Sequence, residues 1–359
     1  MSDETFIFHG SHSGSHSQRN IDVCSSKKYS MPSLSRAKEV LEEDGVLGLL
    51  QKCQMFVTRE GINTYIMTHS RLKKAYYERF DHGVTDMMAE DWDLLLILDA
   101  CRHDLFEEAN TIPGDFSYRI SPGSSTSEFL DTTIVGENFH DTVYITANPQ
   151  HVKKDIRESF YDIIPVWKTN WDKSLRTVHP QSVVEAALDA NKRYPNKRLL
   201  IHFMQPHYPF IGGKNKQIDE QRGSSIAGDY HDLKTEGLKT VWEKLEDGDL
   251  SYEAVWKGYK NNLELVLPHV QEIADKCEGK SVVTSDHGNL LGEFVFSRMQ
   301  RIYAHPNSLH VPNLVKVPWL EIPYERRRKV VSEPPRNSPN HEKDNTAVQE
   351  RLQDLGYTG

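Results

Sequence analysis

Two patterns in this sequence predict an α/β fold with a largely parallel sheet: short runs of wholly apolar residues, and amphipathic helical segments that alternate with them. The run Leu94–Leu98 ("LLLIL") has no polar position, which suits a strand buried on both faces. The segment "PQSVVEAALDANKRY" (180–194) has helical periodicity and opens on a proline, then feeds the apolar strand "RLLIHFMQP" (198–206). A long helical pattern from Tyr252 to Lys276 leads through Gly279 into a further strand, "KSVVTSD" (280–286). Strands and helices in alternation indicate a sheet covered by helices.

The remaining segments are placed around that core. Residues 1–30 are polar and rich in Ser and His, including His9, His12 and His16, and are expected to form a disordered arm. Residues 31–90 carry helical patterns, starting with "SLSRAKEVLEEDG", and are expected to form a helical preface. The α/β domain is assigned to 91–322, with further strands at "FSYRIS" (116–121) and "TVYITAN" (142–148). The polar stretch 212–230 reads as an excursion or lid. Residues 323–359 read as a polar tail with a short helix in "AVQERLQDLGY".

Composition narrows the function classes. A chain of 359 residues, 37% hydrophobic and 26% charged, is long enough to bury a sizeable core. A net charge of −9 argues against general nucleic-acid binding, which requires a basic surface. No run approaches the roughly 20 apolar residues of a membrane span, and the first 20 residues lack the basic and apolar regions of a secretory signal. The four cysteines (Cys24, Cys53, Cys101, Cys277) have no CxxC spacing, which speaks against a disulfide framework or a cysteine zinc site. A cytoplasmic location is the expectation.

Three polar clusters follow predicted strands, where open α/β sheets bind ligands. They are Asp99 in "LILDACRHD", His207 in "HFMQPHYPF", and Asp286-His287 in "VVTSDHGNLLGE". A buried carboxylate left unpaired is costly, and one divalent cation offsets that cost for Asp99 and Asp286 together. A lone Asp after a strand is more often a helix N-cap, and an Asp-His-Gly also suits a simple turn. Their joint occurrence favours the metal reading. Ser124, Ser125 and Thr126 in "SPGSSTSEF" supply hydroxyls at the start of a predicted helix. That position equally suits a plain N-cap, with Glu128 completing a capping-box-like pattern from Ser125.

In order, "LILDACRHD", "SPGSSTSEF", "HFMQPHYPF" and "VVTSDHGNLLGE" resemble the alkaline phosphatase/sulfatase superfamily, in its sulfatase-like branch, from about residue 91 to 318. The resemblance implies a three-layer α/β sandwich around a mostly parallel sheet. It also implies a hydrolase or transferase acting on phosphate or sulfate esters, carried by a small molecule, a glycan or a lipid. It implies one divalent metal ion held by Asp99, Asp286 and His287, and a nucleophile among the hydroxyls: Ser125 by motif alignment, with Thr126 as the alternative. His207 and Arg102 would contact the anionic group of the substrate, together with His305 or His310 from "YAHPNSLHVPNLVKVPWL". The C/S-x-P-S-R motif of sulfatases proper is missing from the sequence, so an unmodified hydroxyl points to phosphoryl transfer. A sulfatase using that hydroxyl, and a catalytically silent protein that keeps the fold and metal, are the competing readings.

Overall fold

The structure, a computed structural model, describes residues 83–154, 156–212, 240–295, 301–336 and 345–355. Leu94–Leu98 forms strand β1 and is buried throughout. The following strands are β2 (Asp115–Ile120), β3 (Phe139–Thr146), β4 (Phe160–Pro165), β5 (Trp171–Asp172) and β6 (Thr177–Val178). After them come β7 (Arg198–Phe203), β8 (Ser281–Thr284), β9 (Leu290–Phe294), β10 (Arg301–Ala304) and β11 (Lys316–Glu321). Seven of them make one sheet in the order β2-β11-β8-β1-β7-β3-β4. Parallel pairing joins β8, β1, β7, β3 and β4, whereas β11 runs antiparallel to both of its neighbours.

Side chains alternate between the two sheet faces along each strand, and both faces are apolar. Leu94, Leu96 and Leu98 join one core with Ile145, Ile201 and Val283. Leu95 and Ile97 join the other with Tyr144, Leu200 and Val282. The helices Pro180–Arg193 and Tyr252–Lys276 cover the first face through Val183, Ala187, Leu263 and Val266. The helix Thr126–Thr133 covers part of the second through Phe129 and Leu130. This is a three-layer α/β architecture, and it explains why the central strand has no polar residue: each fully buried Leu contributes about 2 kcal/mol relative to an exposed one.

The helix Tyr252–Lys276 starts where the Ser251 hydroxyl accepts the Ala254 N–H at 3.2 Å. Pro180 occupies the first turn of its helix, where its missing N–H costs nothing, and His179 Nδ1 caps the Gln181 N–H. Described residues beyond 322 pack on the α/β domain. Val331, Glu333 and Arg336 donate backbone N–H groups to Asn196, His140 and Tyr161, and Lys197 Nζ donates to the Val331 carbonyl. The helix Asn345–Asp354 then buries Val348 and Leu352 against the first core. Ion pairs of Arg327 with Asp91 and Asp93 and of Lys197 with Glu333, with the buried side chains of Val348, Leu352 and Leu355, hold these residues to the domain.

The polar arm, most of the helical preface and nearly all of the stretch 212–230 lie outside the described residues. The last preface residues, 83–90, form turns that bury Met87 and Met88. Among the described residues no helix is long and apolar enough to cross a membrane.

Candidate active site

The parallel strands deliver their C-terminal ends to one edge of the sheet, and the polar residues gather there. Asp99 follows β1, His202 is the next-to-last residue of β7, and Asp286-His287 follow β8. Register places His202 opposite Ile97 of β1 and Thr146 of β3. Directly after Asp99 the chain turns through Ala100 at φ 56, a left-handed conformation that costs a residue with a Cβ of order 1–3 kcal/mol. That turn lets the Ala100 N–H donate to Asp286 Oδ1 at 3.1 Å, while its carbonyl accepts the Tyr259 hydroxyl.

The Asp-His-Gly turn is fixed with similar economy. Asp286 Oδ1 also accepts the His287 N–H at 3.0 Å, and the Ser121 hydroxyl donates to the Asp286 carbonyl. His287 Nδ1 lies 2.7 Å from the Gly288 carbonyl, so that nitrogen carries a proton and donates it there. Nε2 then faces Asp286 Oδ2 at 3.5 Å and Asp99 Oδ1 at 3.7 Å. Gly288 is required by space: a Cβ there would stand 2.1 Å from the Asn313 carbonyl oxygen. The acid and the imidazole sit side by side because one faces the neighbouring strand's carboxylate and the other closes the same cavity.

Thr126 is the hydroxyl that reaches this cavity. Its Oγ1 donates to Asp286 Oδ2 at 2.7 Å and lies 3.2 Å from His287 Nε2. Ser125, the choice by motif alignment, is placed otherwise: it is the N-cap of the helix Thr126–Thr133. Its Oγ accepts the Glu128 N–H at 3.2 Å and donates to Asn307 Oδ1. Ser124 is committed to Glu128 Oε2 and the Pro306 carbonyl, both at 2.8 Å. A cap needs its hydroxyl over the helix end, so Ser125 cannot also face the acids.

The substrate-contact expectations divide in the same way. His305 packs at a tilt of 47° against His287 with ring centroids 4.6 Å apart, and its Nε2 is 3.2 Å from Nε2 of His207. His207 Nδ1 lies 2.5 Å from the Tyr208 carbonyl. His310 sits behind the hydroxyl loop, 3.3 Å from Glu128 Oε1, and so is not the histidine at the cavity. Arg102 is also turned away. Its guanidinium is held by Asp104, by Glu293 and by the Asn289 carbonyl, which leaves it a structural clamp. The aromatics of 161–175 serve packing where they are buried, as Trp167 does in the first core.

His202 was not among the expected residues. Its Nε2 lies 3.8 Å from Asp286 Oδ2 and 3.9 Å from Asp99 Oδ2. Asp99, His202 and Asp286 form a fully buried group that can hold a metal ion. Ligand atoms on opposite sides of a zinc-sized ion stand about 4 Å apart, so these separations suit one. Two orphans support the fit: neither Asp99 Oδ1 nor His202 Nε2 has a hydrogen-bond partner among the described residues. Burial, then the charge of Asp286, pushes the Asp99 carboxyl well above the usual range, against the hydrogen bond from Asn148. Burial also acts to raise Asp286, but His287, His202, the Thr126 hydroxyl and the Ala100 N–H outweigh it and hold it low. Burial pushes His202 and His207 down to about 4 and lowers His305 as well, so these imidazoles offer lone pairs at neutral pH. A cation among two carboxylates and neutral imidazoles balances what the residues cannot balance alone.

The sheet, with its five parallel strands and helices on both faces, is the α/β architecture expected from the sequence. No family model and no curated protein matches the chain. Among solved structures, it is similar to the soluble domain of lipooligosaccharide phosphoethanolamine transferase A from Neisseria meningitidis. That match has 14% identity and a TM-score of 0.40, covering 64% of this chain and 75% of that one. The C-terminal periplasmic domain of EptC from Escherichia coli, in complex with Zn, matches at 14% identity and a TM-score of 0.40, with 66% and 75% covered. The corresponding domain of phosphoethanolamine transferase EptC from Campylobacter jejuni matches at 12% identity and a TM-score of 0.39, with 74% and 87% covered. Likenesses at this level say nothing about activity, which has to be read from the residues of this chain.

Proposed function

We propose that this protein is a metal-dependent hydrolase or transferase of phosphate esters that works through Thr126. The observation that carries the reading is the Thr126 hydroxyl in contact with Asp286 and His287, inside a buried pocket that also holds Asp99. Asp99, Asp286 and His287 would hold the cation. When bound, a divalent cation lowers the pKa of a neighbouring hydroxyl and offsets negative charge on a phosphoryl group.

The chain's own residues then have separable tasks. Asp286 Oδ2 accepts the Thr126 hydrogen bond and so aims the remaining lone pairs of Oγ1 into the pocket. Thr126 Oγ1 passes its proton to Asp286 Oδ2 and attacks phosphorus; its O–P bond forms as the bond to the leaving oxygen breaks, the leaving oxygen takes up that proton, and the phosphoryl group resides on Thr126. His305 and His207 stand beside His287 and are placed to contact phosphoryl oxygens. Of the three, His305 is only partly buried, so substrate reaches the pocket from its side. Water or an acceptor alcohol releases the phosphoryl group by the reverse chemistry. The substrate class is an anionic ester on a small molecule, glycan or lipid. The test is a panel of phosphate and sulfate esters followed by intact-mass and peptide analysis. A phosphoryl adduct on Thr126 is expected, and turnover of sulfate esters alone would overturn the reading.

A further inference from the structure

The C-terminal end of β3 was assigned no task, yet three of its polar side chains point at the pocket. Residues 144 and 146 share a sheet face with His202, because alternation along β3 and β7 puts Tyr144, Leu200 and their next-but-one neighbours on the same side. Tyr144 Oη is 2.9 Å from His202 Nδ1. Thr146 Oγ1 donates to the Asn148 carbonyl at 3.2 Å and accepts the Asn148 N–H at 3.0 Å. Asn148 Oδ1 accepts the Gln150 N–H at 2.8 Å, which turns its amide nitrogen towards Asp99 Oδ2 at 2.5 Å. All of these side chains are buried.

We infer that this end of β3 is the outer shell of the metal centre, and that it makes His202 a further ligand by fixing its tautomer. With Tyr144 Oη at 2.9 Å, a proton on His202 Nδ1 has an acceptor, and it leaves Nε2 with a lone pair aimed between Asp99 and Asp286. The opposite tautomer would bury an Nε2–H whose nearest carboxylate oxygens are 3.8 and 3.9 Å away, beyond a hydrogen bond. The same strand end also holds Asp99 through Asn148, so one peptide stretch orients two ligands. Outer-shell partners of this type fix ring orientation and alter metal affinity by about 10–100-fold.

The inference rests on the proposed metal-dependent reading, and the experiment separates the two. Zn2+ affinity of the full chain is measured by chelator competition for the native protein, Asp286→Asn, His202→Gln and Tyr144→Phe, with folding checked by circular dichroism. If native protein binds no Zn2+ in an Asp286-dependent manner, the functional reading falls, and this inference with it. Where native protein does bind, His202→Gln and Tyr144→Phe should each weaken binding about 10–100-fold. Native affinity in both variants overturns only the assignment of β3. Should Phe at 144 prevent folding, the 15N shifts of the His202 ring in the metal-free native protein decide. A proton on Nδ1 supports the inference, and a proton on Nε2 overturns it.

Discussion

Thr126 and Asp286 are separated by 160 positions in the chain and meet at 2.7 Å inside the protein. No other hydroxyl of the 124–126 cluster touches an acid of the pocket: Ser124 and Ser125 are held by Glu128 and by the 306–309 segment. Thr126→Ala should therefore lower turnover by about 10³-fold or more, as for loss of a covalent nucleophile. Ser125→Ala should leave most of the turnover and cost about 1 kcal/mol of stability, the usual value of an N-cap. Steady-state rates on a phosphate ester and urea melts of both variants check this. The reverse ranking of rates would return the nucleophile to Ser125.

Glu128 ties the nucleophile's loop to the segment that carries His305. Its Oε2 accepts the Ser124 N–H at 2.9 Å, the Ser124 hydroxyl at 2.8 Å and the Ser308 N–H at 3.0 Å. Glu128→Ala leaves two backbone donors without this acceptor, and each buried donor so stranded costs about 1–3 kcal/mol. The expected result is a clear fall in urea midpoint with a parallel fall in turnover, because Thr126 and His305 lose their common anchor. Glu128→Gln keeps one acceptor oxygen and should fall between the two. A native midpoint for the alanine variant would remove Glu128 from this role.

Gly288 is predicted to tolerate no side chain. A Cβ would press against backbone, not against a flexible side-chain end, with the Asn313 oxygen at 2.1 Å. The Gly288 N–H also donates to the Leu314 carbonyl at 2.7 Å, which pins the turn from the other side. Gly288→Ala should cost about 1–3 kcal/mol, the range for overpacking a well-filled site, and shift His287. Unfolding midpoints together with turnover measure both effects. An alanine variant with native stability would show that the Asn313 loop can yield.

The strands and the long helix were legible because their physical causes are local. Five consecutive apolar residues specify a doubly covered strand, and Ser251 ahead of an amphipathic run marks the start of the helix Tyr252–Lys276. The convergence of Asp99, Asp286 and His287 at one edge of the sheet was legible because polar residues at the ends of buried strands lack a simple structural explanation. His202 was hidden inside "LLIHFM", where a histidine reads as part of the strand, and its role depends on Tyr144 two strands' worth of sequence away. Ser125 was preferred by motif alignment, although the Ser125–Glu128 spacing already assigned its hydroxyl to the helix end. Arg102 was misread for a related reason: Asp104, two residues on, captures its guanidinium.

The final prediction concerns metal and stability. Anything that binds only the folded state stabilises it by RT ln(1 + [L]/Kd), about 2.7 kcal/mol at a hundredfold excess over Kd. Zn2+ should therefore raise the unfolding midpoint of the chelator-treated native protein. Asp286→Asn should abolish that rise, since it removes one of two buried carboxylates facing the pocket. The asparagine can keep the contacts of Asp286 Oδ1 with the Ala100 and His287 N–H groups, so the fold should persist. It also removes a buried charge that opposes ionisation of Asp99. Metal-free Asp286→Asn should accordingly be at least as stable as metal-free native protein. Thr126→Ala, by contrast, should retain most of the Zn2+-dependent rise while losing turnover. Thermal melts of the three proteins with and without Zn2+ measure all of this together, and a Zn2+-dependent rise that survives in Asp286→Asn would place the cation elsewhere.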